Sequence, residues 1–388
     1  MKLQRKSGLR ALTVGAVAIT GALVLSACGS DDNSDSSGSD TSTSAASTSG
    51  GSGGDASALG ITCATGQIKA SGSSAQQNAI EAWVKDYQQA CKGSTINYKT
   101  SSSGEGIVDF NQGTDAFAGS DSPLKPEEVD ASKKVCTGGQ GVNIPMVGGP
   151  IAIGYNLPGV DNLVLDASSL AKIFNGKITA WNDPAIAKLN PGAKLPSTKI
   201  QSVHRQDDSG TTDNLTKYLK GAAPADWPYE HAKAWAAKGG QAAPQSSGVA
   251  ALVKQTEGSI GYFELSYATA NTIPTVKINT GAPQPVEATT ANASAGIGAA
   301  KIAGTGSDLA LDLSAAYVTK TPNAYPIVLV TYEIACDKGN KADTLALTKS
   351  FLNYIASDKG QQKLSAAGYA PLPQEIATKV RTTIGSLS

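Results

Sequence analysis

The run His204-Arg205-Gln206-Asp207-Asp208-Ser209-Gly210-Thr211-Thr212 gathers a guanidinium, two carboxylates, three hydroxyls and a glycine in nine positions. Leu215, Tyr218 and Leu219 follow at helical spacing and predict a helix over Asp213 to Lys220. Ser209 or Thr211 can cap that helix, whose first N–H groups have no partner within it. Hydroxyls, a glycine and one Arg at a helix start suit an anion. They also suit an ordinary capped helix with a surface ion pair.

Three other loops have the same style. Ala70-Ser71-Gly72-Ser73-Ser74 and Ser101-Ser102-Ser103-Gly104-Glu105-Gly106 each lie between a strand-like and a helix-like run. Ala118-Gly119-Ser120-Asp121-Ser122-Pro123 follows the short run Asp115 to Ala118. One such turn is commonplace; several in one chain favour a shared ligand in the crevice at the strand ends.

Elements able to hold these loops alternate along the chain, which predicts an α/β fold. A strand is expected over Gln67 to Ala70, a helix over Ala75 to Ala90 with Ile80, Trp83, Val84 and Tyr87 on one face, and a strand over Ser94 to Thr100. Val142 to Tyr155, broken by Gly148-Gly149-Pro150, and Pro326 to Ile334 read as buried strands. A helix from Ser168 to Phe174 is closed by Asn175-Gly176, and Leu345 to Ile355 and Gly360 to Ala367 read as closing helices.

The N-terminus reads as an export signal. Lys2, Arg5, Lys6 and Arg10 precede the uncharged run Ala11 to Leu25. Fifteen helical residues reach roughly 22 Å, short of a ~30 Å hydrocarbon core, so no permanent span is expected. Leu25-Ser26-Ala27-Cys28 is similar to the lipobox at which bacterial lipoproteins are cleaved and the new N-terminal Cys acylated. Residues 1–27 are thus the expected signal, and 28–59 a lipidated Cys28 followed by a disordered Ser/Gly-rich tether. This places the protein at the cell membrane, lipid-anchored on the extracytoplasmic face and touching the membrane through that anchor alone.

The chain carries 32 basic and 32 acidic residues; setting aside the four basic signal residues leaves 28 against 32, a net charge of −4. That argues against a nucleic-acid partner. Cys63, Cys91, Cys136 and Cys336 allow three pairings in an exported protein. If Cys63 precedes the first strand and Cys91 ends the next helix, both lie at one end of a βα unit, which favours Cys63–Cys91 with Cys136–Cys336. No Cys-x-x-Cys occurs and His204 and His231 are the sole histidines, so neither metal nor cofactor is expected.

Taken together, the chain from 61 to 388 resembles the phosphate-binding lipoproteins (PstS) of bacterial phosphate-specific ABC transporters. Arg205, Asp207, Ser209, Gly210 and Thr211 match the family's Arg-x-Asp-x-Ser-Gly-Thr segment, and Ser120-Asp121-Ser122-Pro123-Leu124 its Ser-Asp-x-Pro-Leu segment. Ile173-Phe174-Asn175-Gly176-Lys177-Ile178, Trp181-Asn182-Asp183, Leu189-Asn190-Pro191-Gly192 and Gly368-Tyr369-Ala370-Pro371-Leu372-Pro373 extend the likeness. It implies a two-lobed periplasmic-binding-protein fold of type II, each lobe a mixed sheet flanked by helices, with the ligand in the interlobe cleft. Lobe 1 would be 60–148 plus 325–388 and lobe 2 would be 149–324. The implied phosphate ligands are the Ser74 hydroxyl, the Ala75 N–H, Ser103, Asp121, Arg205, Ser209, Gly210 and Thr211, with Asp207 orienting Arg205. The implied partners are inorganic phosphate and a membrane permease with its cytoplasmic ATPase, served by a monomer that is not an enzyme.

Asp121 has a physical reason to be there. A carboxylate repels an anion unless the anion has a proton to donate; hydrogen phosphate has one near neutral pH and sulfate has none. This disfavours sulfate or molybdate as the ligand. A phosphatase is disfavoured by the lack of a Gly-x-Ser-x-Gly elbow and of a metal-ligand cluster. The chain departs from the family at Ala75-Gln76, where an aromatic residue and Pro are usual, and at Glu105, where Gly is common. Glu105 would face solvent harmlessly or face the cleft and weaken anion binding; His204 is either a pH-sensitive neighbour of Arg205 or a satisfied loop histidine.

Overall fold

The computed structural model describes residues 60–388. Twelve strands occur among them: β1 (Gly66–Ser73), β2 (Ser94–Ser101), β3 (Phe117–Ser120), β4 (Gly141–Asn156), β5 (Val164–Asp166), β6 (Gln201–Arg205), β7 (Gln241–Ala243), β8 (Ser259–Glu264), β9 (Lys277–Asn279), β10 (Lys301–Ile302), β11 (Leu311–Asp312) and β12 (Val328–Cys336). Eight form one sheet in the order β2-β1-β3-β12-β4-β8-β6-β7; β5 with β9 and β10 with β11 make separate pairs. The export signal, Cys28 and the tether lie outside the described residues.

The long strand β4 organises the molecule. From Gly141 to Pro150 it pairs antiparallel with β12, and from Ile151 to Asn156 it pairs antiparallel with β8. On the β12 side, β1 runs parallel to β2 and β3; on the β8 side, β6 runs parallel to β8 and β7. Two α/β lobes result, each a mixed sheet under helices, joined through β4 and β12. The sequence predicts a break at Gly148-Gly149-Pro150, yet β4 runs straight through it. Proline lacks a donor and is tolerated where a strand does not need one. Pro150 sits where β4 exchanges partners, and Pro145 beside a register shift between Thr331 and Tyr332. Gly148 bonds neither way to a sheet neighbour at that point; it exchanges N–H and C=O with Ala370 at 3.0 and 2.8 Å.

Other expected elements stand with shifted ends. The helix Gln77–Ala90 buries Ile80, Trp83 and Tyr87, while Val84 is half-buried. Trp83 donates to the Gly360 carbonyl at 2.9 Å, and the Tyr87 ring meets Phe351 edge-on at 5.5 Å, so this helix shares one lobe with helices near the C-terminus. The helix Ala167–Phe174 ends at Asn175 with Gly176 at φ +70, the left-handed geometry glycine tolerates. The helices Ala342–Ile355 and Asp358–Ala366 lie where expected. Both expected disulfides are present, Cys63–Cys91 and Cys136–Cys336. Among the described residues no helix is long and apolar enough to cross a membrane.

Candidate anion-binding site

The Arg205 segment forms at the end of β6. The helix Gly210–Ala222 follows directly, with Ser209 as its N-cap accepting from the Thr212 amide at 3.3 Å. A capping hydroxyl spends a lone pair, so its own proton stays available to an acceptor in front of the helix. Arg205 is buried at 2 % exposure. Its Nε donates to Asp207 Oδ1 at 2.9 Å, a second nitrogen pairs with Asp207 Oδ2, and Nη1 donates to Ser246 Oγ at 3.2 Å. Two of the five guanidinium N–H groups remain for another acceptor. Burial works against the Arg205 charge, but the Asp207 fork outweighs it and raises the guanidinium pKa further. Asp207 is likewise pushed up by burial and held below its usual range by Arg205.

Asp121 lies opposite, at 2 % exposure, just past β3. Its carboxylate accepts from Ser73 Oγ at 2.7 Å, Thr331 Oγ1 at 2.8 Å and Ser103 Oγ at 3.3 Å. Burial first, and the Glu264 charge second, push its carboxyl up to about 6 against those donors and Arg205. Ser103 opens the helix Ser103–Asn111 behind its N-cap Ser102. Its hydroxyl oxygen accepts from the Asp121 amide at 3.1 Å and from the Gly210 amide at 3.2 Å, so three expected site residues meet at one atom.

Ser74 reaches the other wall. Its Oγ lies 3.3 Å from Ser246 Oγ and accepts from the Ser246 amide at 3.0 Å, and its carbonyl accepts from Tyr267 at 2.7 Å. The Ala75 N–H donates to Ser73 Oγ at 3.0 Å, within its own turn. Thr211 is fully buried and donates to Glu264 Oε1 at 2.7 Å. The Glu105 side chain is exposed and pairs with Lys99, facing solvent rather than the cleft. His204 stacks on Trp235 at 4.9 Å with Nδ1 3.0 Å from the Arg205 carbonyl, a satisfied histidine. Among the described residues no group of three or more His, Cys, Asp or Glu side chains could hold a metal ion.

Ser73 lies in a loop the sequence singles out, whereas Ser246 in the helix Gln245–Gln255, Glu264 on β8 and Thr331 on β12 carried no local signal. The lobes touch closely here. The Gly104 amide donates to the Asp208 carbonyl at 3.0 Å, Ser122 Oγ to Asp213 Oδ2 at 2.7 Å, and Asn214 Nδ2 to the Asp121 carbonyl at 2.7 Å.

Two lobes closing on buried hydroxyls, helix-start amides and one oriented guanidinium define a solute-binding protein of the periplasmic-binding class, and a family model described as a PBP superfamily domain matches residues 56–359. Phosphate-binding protein PstS 3 of Mycobacterium tuberculosis is 41% identical over 389 residues, all of both chains. The phosphate-binding protein PstS of Xylella fastidiosa is 32% identical over 319 residues, 81% of this chain and 84% of its own. The chain belongs to the PstS family of phosphate-binding proteins. In fold it also matches the crystal structure of a phosphate-binding protein from Stenotrophomonas maltophilia, at TM-score 0.63 and 20% identity over 82% of this chain and 94% of that one.

Proposed function

We propose that this protein is an extracytoplasmic receptor that captures inorganic phosphate, as hydrogen phosphate, between its lobes and delivers it to a phosphate ABC transporter for import. The observation that carries this is the meeting of Ser103, Asp121 and Gly210 at one hydroxyl oxygen, with Arg205 oriented by Asp207 in the same buried cleft. Donors from both lobes converge there beside the Asp121 carboxylate, the combination that favours a tetrahedral anion still carrying a proton. The role is binding and release, not turnover.

The ligands in this reading are the Ser74 hydroxyl, the Ala75 N–H, Ser103, Asp121, Arg205, Ser209, Gly210 and Thr211. The Ala75 amide would first have to leave Ser73 Oγ. The lobes are 60–148 with 325–388, and 149–324, supported by the partner exchange of β4 after Pro150 and the start of β12 at Val328. Membrane permease subunits with a cytoplasmic ATPase take the phosphate onward. The Leu25-Ser26-Ala27-Cys28 motif supports a lipid anchor at Cys28, and a cleft built within one chain supports a monomer.

Titration calorimetry on the 60–388 fragment tests the reading. One phosphate per chain should bind tightly with excess sulfate present. Equal competition by sulfate would remove the role given to Asp121.

A further inference from the structure

Glu264 ends β8 beside Thr211 at 1 % exposure, and the ligand set above gives it no part. Its Oε1 is 2.7 Å from Thr211 Oγ1, and its Oε2 is buried with no hydrogen-bond partner among the described residues. The groups that face it are Asp121 from the turn after β3, Arg205 from β6, Tyr267 from the helix Leu265–Asn271, and Tyr369 from the C-terminal segment. Arg205 is the one cation of that set, and its charge is already matched by Asp207.

A threonine hydroxyl has one proton. While that proton points at an ionised Glu264, the Thr211 hydroxyl can offer a neighbouring anion only lone pairs, and the residue's one remaining donor is its main-chain N–H. The single proton of hydrogen phosphate is taken up by Asp121, so a lone pair of Thr211 against a phosphate oxygen is repulsive. With a proton on Glu264 Oε1 the same heavy atoms reverse their bond. The neutral acid donates to Thr211 Oγ1, and the threonine proton turns to the phosphate. The change also removes one of two buried negative charges beside a dianion, where an unmatched charge is costly.

We propose that Glu264 is a positioning residue that takes up a proton from the solvent when phosphate binds and thereby turns the Thr211 hydroxyl into a phosphate donor. One O–H bond forms on Glu264 Oε1 and one bond to hydrogen breaks in the buffer acid that supplies the proton. The inference rests on the phosphate reading above.

Calorimetric titration of the full-length, detergent-solubilised chain with inorganic phosphate at pH 8, in buffers of different ionisation enthalpy, counts the protons exchanged. The wild type should take up about one proton per phosphate. E264Q, whose amide donates to Thr211 without a proton from solvent, should show that uptake reduced by about one, with a matching loss of slope in log affinity against pH. Uptake unchanged in E264Q overturns the proposal. If E264Q does not fold, infrared difference spectra on D121N replace it. A protonated-carboxyl band that appears with phosphate and persists both in D121N and in E333Q, which removes the other buried carboxyl, pushed up to about 8, supports Glu264; a band that vanishes in either assigns the proton there and overturns the proposal. No binding heat from the wild type in any buffer would instead defeat the phosphate reading itself.

Discussion

Gly210 faces Asp121 so closely that a Cβ built on it would lie 2.6 Å from the Asp121 Cβ and 2.6 Å from Ser103 Oγ. Glycine at this place is a matter of room, since its backbone φ is not in the left-handed region. Gly104 tells the same story from the other lobe, where an added Cβ would lie 2.6 Å from the Asp208 Cβ. The two helix starts can approach the opposite lobe because neither carries a side chain at the point of contact.

Gly210→Ala should therefore impair closure more than folding. Overpacking a tight contact costs about 1–3 kcal/mol, which corresponds to roughly 10–100-fold weaker phosphate binding. Calorimetry should show that loss, while the thermal midpoint of the ligand-free variant stays near that of the wild type, because separated lobes do not feel the methyl group.

Arg205→Ala should weaken phosphate binding by about 2–5 kcal/mol, since it deletes a buried charge-assisted donor and leaves Asp207 as an uncompensated carboxylate in the cleft. Arg205→Lys should recover little of this. A point ammonium cannot form the fork with Asp207 and donate to Ser246 together, as the guanidinium does. Affinities of the two variants side by side measure orientation separately from charge.

The discrimination against sulfate should depend on pH. The Asp121 carboxyl is pushed up to about 6, chiefly by burial. Above that pH it is an acceptor that repels a fully deprotonated anion; below it, a neutral acid that can donate. Sulfate affinity should thus rise roughly tenfold per unit as pH falls from 8 toward 6 and level off below. Asp121→Asn should bind sulfate at pH 7 and lose the dependence, which competition titrations against phosphate would register.

The parts of this site that were legible in the sequence are those made by local chemistry. Ser209 caps the helix that its hydroxyl and Gly210-Thr211 announce, and Asp207 lies two residues from the guanidinium it holds. Cys63 and Cys91 close a single βα unit, so their pairing follows from adjacent elements. Ser246, Glu264 and Thr331 were not legible. Each is an ordinary residue locally: Glu264 and Thr331 are placed by the pairing of β4 with β8 and β12 across more than a hundred positions of chain, and Ser246 lies in the first turn of the helix Gln245–Gln255 that follows β7. The unbroken course of β4 escaped for a related reason: a Gly-Gly-Pro triplet breaks a strand only if its backbone groups need sheet partners, and here Gly148 is served by Ala370.

Glu333 should set an alkaline limit on stability. It is fully buried on β12, and both carboxyl oxygens lack hydrogen-bond partners among the described residues, the Gln76 amide donating to Tyr98. Burial pushes its carboxyl up to about 8, opposed by Gln76 and assisted by the Asp121 charge. The folded state then holds a proton that the unfolded chain releases near pH 4.5, so this contribution is complete below 4.5 and is lost as pH rises through 8. In denaturant unfolding without phosphate, Glu333→Gln should gain on the order of 3–5 kcal/mol relative to the wild type between pH 4 and pH 9. An equal pH profile for both proteins would show that Glu333 is not held neutral.

The two disulfides should differ in worth because they close very different loops. Cys63–Cys91 spans 28 positions and Cys136–Cys336 spans 200. The chain-entropy relation gives about 3.5 kcal/mol for the shorter loop and about 5 kcal/mol for the longer. The longer bridge also ties the segment entering β4 to the end of β12, the two strands that connect the lobes. The double variant Cys136→Ala with Cys336→Ala should accordingly lower the unfolding midpoint more than Cys63→Ala with Cys91→Ala. Its effect on phosphate affinity should be smaller than that of Gly210→Ala, since neither cysteine lies in the cleft. A larger drop from losing Cys63–Cys91 would mean that strain or residual structure in the unfolded chain outweighs loop length.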